Sequence, residues 1–278
     1  MFPQLANTYS PSKNYPNSEW LASPKLDGVR CLYSPDRGLI SRSQKTRYVG
    51  FDAIEEICLL TCRNNNLAFL DGELYIPGEK FDVISGIVRD SKKFDVNQKL
   101  RVEYRIFAAG SIAHPTASAS TMLDLIKSAL PETGRVTYVP HSITPNTPRA
   151  IQTVAELVKN SGLSDEGIML RNPSSVYTDT GVRSNDLLKV KNFVKDSFVI
   201  VGFTKGTGKY AQSLGALLIR GLIGDRVVSA KVGTGLTDLQ RSNVWTNQSN
   251  YLDKDIEVIY LGVTAAGSLR HPVFSRFI

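Results

Sequence analysis

The stretch Lys25-Leu26-Asp27-Gly28-Val29-Arg30 sets a lysine between Pro24 and an acidic-glycine turn, just before the apolar run 29–33. A lysine amine attacks only when unprotonated, so a reacting lysine needs partial desolvation or neighbouring positive charge. A loop stiffened by Pro24 and turned by Gly28 would hold such a group rigidly at the mouth of a pocket. Three further stretches supply what that amine would need. "FLDGELY" puts Glu73 on an otherwise apolar strand, "DEGIMLR" puts Glu166 ahead of another, and "LLKVKNF" spaces Lys189 and Lys191 two apart, on one face of a strand. Carboxylates at strand edges suit a hard cation, and paired lysines suit a phosphate. Each stretch alone describes an ordinary solvated turn or strand face. Together they are a nucleophile, cation-binding carboxylates and a phosphate clamp, the parts for attack on a nucleoside triphosphate.

The elements that must position these groups can be read from hydrophobic periodicity. Strand-like runs recur at 29–33, 38–41, 67–76, 102–109, 167–171 and 187–191. Helical patterns lie between them: Ile54, Ile57, Cys58 and Thr61 share one face, as do Met122, Leu125 and Ile126, and "RAIQTVAELVKNSG" ends in a glycine stop. Strands mixed with helices to about residue 193 predict an α+β or α/β domain. Beyond it the texture changes to short β-rich segments broken by glycine turns, with one short helix near "TDLQRSNVW". Such strands fit a small antiparallel barrel of the OB-fold kind, so a domain boundary is expected near 192–196.

Composition bounds the function. The 278 residues are 42% hydrophobic and 21% charged, the balance of a soluble globular protein, and no run approaches the length of a membrane span. The N-terminus lacks the charged-then-apolar pattern of a secretory signal, so the expected location is cytoplasmic, or more broadly intracellular: nuclear or organellar in a eukaryote, host cytoplasm for a virus. Cys31, Cys58 and Cys62 form no C-x-x-C pair, and His114, His141 and His271 are scattered, which disfavours a disulfide framework and a zinc or histidine-bound metal site. The formal charge of +7 suits a polyanionic partner, because each phosphate neutralised releases counterions. "GFTKGTGK" imitates a P-loop, but Phe203 stands where the first glycine belongs and Tyr210 where a magnesium-binding Ser or Thr belongs. It reads as a glycine hairpin.

In order and interval, "KLDGVR", "FLDGELY", "YRIF", "EGIMLR" and "LLKVK" resemble the motifs of the covalent nucleotidyltransferases, and specifically the minimal ATP-dependent DNA ligases of viral or phage type. The resemblance runs from about Phe2 to Phe274. It implies an α+β nucleotidyltransferase domain, the ATP-grasp-like ligase adenylation domain, over 1–193, followed by a small OB-fold β-barrel over 194–278. It also implies a phosphodiester-forming enzyme using ATP and Mg2+, with Mn2+ able to substitute, that acts as a monomer on nicked double-stranded DNA and not at a membrane.

Carried over residue by residue, the resemblance makes Lys25 the nucleophile that accepts AMP and gives Arg30 the ribose or the nick phosphate. Arg42 would hold the nick 5′-phosphate, and Glu73 would bind the ribose hydroxyl or a metal-bound water. Phe107 would stack on adenine, Glu166 would hold magnesium directly or through water, Lys189 and Lys191 would grip the α-phosphate, and Arg183 would help hold a phosphate. Two departures stand out. Phe107 is followed by Ala108 where the family continues with aspartate, and Ile278 stands where the first arginine of the family's last motif is expected, so that either the reaction with ATP would be slower or Arg270 or Arg276 would substitute. NAD-dependent relatives are disfavoured because only 24 residues precede Lys25. The alternatives that share the lysine chemistry are an RNA ligase and a capping-type nucleotidyltransferase. A non-catalytic nick-binding protein is the alternative from another class.

Overall fold

The computed structural model describes residues 2–91, 95–264 and 266–278. The chain divides into two compact units, one running through Val190 and one spanning Lys191–Ile278.

In the first unit, one sheet has the order β4-β3-β5-β6-β7 and comprises β3 (Val29–Ser34), β4 (Gly38–Ser41), β5 (Leu67–Tyr75), β6 (Glu103–Ser111) and β7 (Val136–Tyr138). Its pairs are antiparallel except β6 with β7. A second sheet, β1-β10-β9-β2-β8, is built from β1 (Leu5–Thr8), β2 (Glu19–Pro24), β8 (Ser142–Pro145), β9 (Gly167–Arg171) and β10 (Arg183–Lys191). Here β2 runs antiparallel to β8 and β9, while β1 runs parallel to β10.

Helices α1 (Asp52–Asn64), α2 (Phe81–Arg89) and α4 (Ala119–Ala129) pack on the first sheet, and α5 (Pro148–Asn160) packs on β8 and β9. The short α3 (Val96–Leu100) lies against α2. Their sequences explain their ends. Ser118 accepts the Thr121 N–H to open α4, Thr147 does the same for Ala150 with Pro148 in the first turn of α5, and Gly162 follows α5 in the left-handed region. The first sheet and its helices enclose a core including Leu39, Ile54, Cys58, Leu70, Leu74, Ile84, Tyr104 and Ile126, and α5 closes a smaller one around Trp20, Ile151, Ile168 and Leu188. The buried Tyr104 phenol donates within 2.9 Å of the Cys31 carbonyl and 3.2 Å of the Leu70 carbonyl, so one side chain ties β3, β5 and β6 together.

The second unit is one antiparallel sheet in the order β13-β12-β11-β14-β15, made of β11 (Val194–Lys205), β12 (Leu214–Ile223), β13 (Arg226–Val232), β14 (Asp255–Tyr260) and β15 (Val273–Phe277). Helix α6 (Asp238–Thr246) carries a full capping box between Thr237 and Gln240. A single parallel bridge, Thr234 to Val273, links the two edges, so among the described residues the ladder is not a closed barrel. The P-loop imitation is the hairpin expected: a Cβ on Gly206 would fall 2.3 Å from the Tyr210 carbonyl oxygen, so only glycine fits there. Buried Arg241 stitches this region together by donating to the carbonyls of Leu214 at 2.9 Å, Gly215 at 2.8 Å and Gly233.

All six strand-like runs and the four helical patterns appear as strands and helices. One detail differs: Ile57 is 36% exposed at the rim of α1, and Cys62 takes its place in the buried stripe. No helix of the described residues is long and apolar enough to cross a membrane.

Candidate active site

Lys25 lies in the link between β2 and β3, and backbone bonds fix that link to the turn before β9. The Lys25 N–H donates to the Gly167 carbonyl at 2.9 Å, and the Lys25 carbonyl accepts from the Ser164 hydroxyl, whose oxygen accepts the Glu166 N–H at 3.1 Å. The Lys25 ammonium pairs directly with the Glu166 carboxylate, both side chains being mostly buried. The glycine of the motif is required by close approach. A Cβ on Gly28 would stand 2.5 Å from the Leu74 carbonyl oxygen and 2.7 Å from Glu73 Cγ, so any larger residue would push the lysine loop off β5.

Register places the next groups. Arg30 on β3 sits opposite Glu73 on β5. The Arg30 guanidinium forks onto fully buried Asp71, with Nε to Oδ1 at 3.0 Å and Nη2 to Oδ2 at 2.5 Å, and the Tyr177 hydroxyl donates to the same Oδ2 at 2.6 Å. Arg30 also lies 5.1 Å from the centroid of the Phe107 ring. Burial works against the charge on Arg30, but Asp71 outweighs it and holds the guanidinium protonated above its ordinary range. Behind this fork, buried Arg171 donates to Gln4 Oε1 at 2.8 Å.

Glu73 behaves differently from Asp71. Burial pushes its carboxyl up to about 8, against the pull of Arg30 and Lys25 and with reinforcement from Asp71 and Glu166. Its side chain keeps a window to solvent. Two carboxyl groups, those of Glu166 and Glu73, thus lie near Lys25. No group of three or more His, Cys, Asp or Glu side chains among the described residues could cage a metal alone. Two carboxylates do suit Mg2+, which keeps several waters and takes its remaining oxygens from substrate phosphates.

Phe107 is half-buried on β6, on the wall of a small recess that also involves Ala108, Ala109, Met122, Arg171 and Tyr177. Lys189 and Lys191 are on β10, separated from β2 by β9; Lys189 is paired with Thr8 of β1, and the Lys191 ammonium lies 5.9 Å from the Phe193 ring centroid. Arg183 begins the same strand six residues before Lys189 and donates to the Ala6 carbonyl of β1. Arg42 is exposed on the turn that follows β4. In the second unit, Arg276 lies 3.4 Å from Glu257.

The structure thus gathers Lys25, Glu166, Glu73 and Arg30, with Phe107 beside Arg30. Sequence reasoning passed over Asp71, Tyr177, Arg171 and Gln4. Asp71 carried a usable signal, since it lies two residues from Glu73 on one strand and so on the same face. The others reach the site only through tertiary folding.

Comparison with known proteins fits this arrangement. The family described as ATP dependent DNA ligase domain matches residues 3–191, and the DNA ligase OB-like domain matches residues 205–277. A DNA ligase of Haemophilus influenzae is 25% identical over 282 residues, covering 98% of this chain and 90% of its own. The chain spans 13% and 41% of the length of DNA ligases from Halorubrum lacusprofundi and Methanothrix thermoacetophila. Among solved structures, a Lig E DNA ligase described under DNA binding with a minimal scaffold superposes with a TM-score of 0.76 at 23% identity, covering 100% of this chain and 99% of its own. Pmar-Lig_Pre gives a TM-score of 0.80 at 20% identity, covering 99% and 67%. These two likenesses speak for the fold, and the RNA-ligase and capping alternatives are not favoured.

Proposed function

The chain belongs to the ATP-dependent DNA ligase family, enzymes that seal nicks in duplex DNA, and from that premise we propose that Lys25 is the residue that carries AMP between ATP and the nick. The observation that carries this assignment is the contact of the Lys25 ammonium with Glu166, in a loop laced to β9 and resting on Glu73. In the first step the Lys25 amine, having lost its proton, forms a P–N bond to the α-phosphorus of ATP as the bond to the β-phosphate oxygen breaks and pyrophosphate leaves. A 5′-phosphate oxygen of the nick then attacks the same phosphorus, breaking the P–N bond and returning the amine. Finally the 3′-hydroxyl attacks the nick phosphorus and AMP departs.

The chain's own groups have defined tasks in this sequence. Glu166 holds the Lys25 side chain in place before nucleotide binds, and Arg30, fixed by Asp71 and Tyr177, presents its remaining N–H groups to the ribose or the nick phosphate. Phe107 offers its ring to adenine, while Lys189 and Lys191 stabilise the charge that develops on the α-phosphoryl oxygens. Glu73 and Glu166 would hold Mg2+, which when bound neutralises phosphate charge and favours the neutral lysine amine. Arg42 takes the 5′-phosphate of the nick. Arg183, which donates to the Ala6 carbonyl, would help hold a phosphate with its remaining N–H groups.

We also place the division between catalytic and OB-like domains near residue 193, supported by the compact units that change at Lys191 and by family matches that end at 191 and resume at 205. The working form is a monomer on nicked duplex. The test is Lys25→Ala with labelled ATP and Mg2+: covalent labelling should disappear, and a labelled Lys25→Ala protein would overturn the assignment.

A further inference from the structure

The segment between β4 and α1 carries Arg42 near the tip of an arch that is wired more closely than an exposed turn requires. Its arms meet at the bridge between Ile40 and Arg47. The Ser41 N–H donates to Thr46 O at 2.8 Å, Gln44 N–H to Ser41 O at 2.8 Å and Tyr48 N–H to Leu39 O at 2.9 Å. Ser41 Oγ accepts the Thr46 N–H at 3.1 Å, and Gln44, held at a φ of 64°, accepts from Arg37 at 2.6 Å. Glu55 of α1 receives the Leu39 N–H and the Arg47 guanidinium, each at 3.0 Å. Arg42 itself points no hydrogen bond at any described residue. The arch is rigid and its arginine is left available.

The return arm runs through Val49 into α1, and there it meets Lys99 of α3. Lys99 is 1% exposed; its ammonium donates to the Val49 carbonyl at 2.5 Å and lies 4.6 Å from the Phe51 ring centroid. The Lys99 carbonyl in turn accepts from Arg135 at 3.0 Å, which anchors α3 from behind. Burying an ammonium is unfavourable, and a Met would fill the same space without that penalty. Besides its attraction to the Asp90 charge, the amine adds a directed bond to the Val49 carbonyl, hence a fixed path for the arm behind Arg42.

We propose that Lys99 is a positioning residue for the DNA step: it fixes the arch so that Arg42 meets the 5′-phosphate of the nick. The inference rests on the reading of Arg42 as the residue that takes that phosphate. Lys99 bonds to the arm at Val49, outside the Lys25–Glu166 contact, so it acts on recognition of the nick and not on transfer of AMP from ATP.

The test compares affinity for a nicked duplex ending in 5′-phosphate with the same duplex ending in 5′-hydroxyl, each with a 3′-dideoxy end that blocks sealing. The full chain is used as wild type, Lys99→Met, Lys99→Gln, Arg42→Ala and each Lys99 variant combined with Arg42→Ala. Lys99→Met should keep self-adenylation with ATP and lose about tenfold of the phosphate preference, the scale of one bond to a charged group. Lys99→Gln, which keeps a donor, should lose about two- to threefold by the same reasoning, and it carries the comparison if Lys99→Met does not adenylate. In the Arg42→Ala background neither Lys99 change should have any further effect. Full preference in both Lys99 variants, or losses that add to that of Arg42→Ala, would overturn the proposal. Wild-type preference in Arg42→Ala would overturn the reading of Arg42 itself, and the proposal with it.

Discussion

Replacing Glu73 with glutamine should make the protein more stable at neutral pH while removing its function. The carboxyl is pushed from 4.5 up to about 8 by burial, so between those values the folded protein binds a proton that the unfolded chain has released. The folded-state value lies above the unfolded one for an acid. Its contribution is therefore most favourable below pH 4.5, is eroded as pH rises, and reaches its full penalty near pH 8. At pH 7, about 2.5 pH units above the ordinary value of 4.5, this penalty is worth about 3 kcal/mol, and screening through the solvent window of Glu73 lowers it to about 2 kcal/mol. Glutamine has no charge to desolvate and does not carry this penalty. Calorimetry of wild type and Glu73→Gln without nucleotide or Mg2+ should give nearly equal Tm at pH 5 and a Tm higher by about 4–8 °C for the variant at pH 7–8, at about 2–4 °C per kcal/mol for a unit of this size. Adenylation should fall at least a hundredfold, since the variant loses a carboxylate beside Lys25. A Tm difference that does not change between pH 5 and pH 8, or a variant less stable at pH 8, would refute the reasoning.

Three further outcomes follow from the geometry around Lys25. Asp71→Asn leaves the Arg30 guanidinium without its counter-charge in a buried site and should destabilise the protein by about 3–5 kcal/mol in urea unfolding; Tyr177→Phe removes one bond to the same carboxylate and should cost about 1–2 kcal/mol. Gly28→Ala forces a methyl against the Leu74 carbonyl and Glu73, displacing the lysine loop, so its self-adenylation rate should drop about a hundredfold even where the fold survives. A near-wild-type rate in single-turnover labelling would show that the loop can move without loss.

Much of this was legible in the sequence because the relevant signals are local. The runs that became β3, β5, β6 and β9 alternate or are apolar over strand-like lengths, and α4 and α5 announce themselves with Ser118 and Thr147 caps. Strand β2 was not assigned: Trp20, Leu21, Ala22 and Ser23 are all buried in the sheet interior, so no alternation marks them, and prolines flank the segment. Helix α2 was also missed, with Gly86 in its middle and a short stripe of Ile84 and Val88. At the site, the nearness of Lys25, Glu73 and Glu166 was legible because their residue types and spacing are those that attack on a phosphate would need. The support for Arg30 was not. Asp71 was passed over beside Glu73, while Tyr177 lies 106 residues from Asp71 along the chain, and only the packing of two sheets brings them together. The bond from Arg183 to the Ala6 carbonyl has no signal in the sequence either, since it joins residues 177 apart along the chain.

The most direct test of the central claim is the intact mass of the protein after incubation with ATP and Mg2+, followed by addition of a nicked duplex. The expected result is a gain of one AMP, mapped by peptide analysis to Lys25 and lost as the nick is sealed. An adduct on another residue, or an adduct on Lys25 that persists while nicks are sealed, would contradict it.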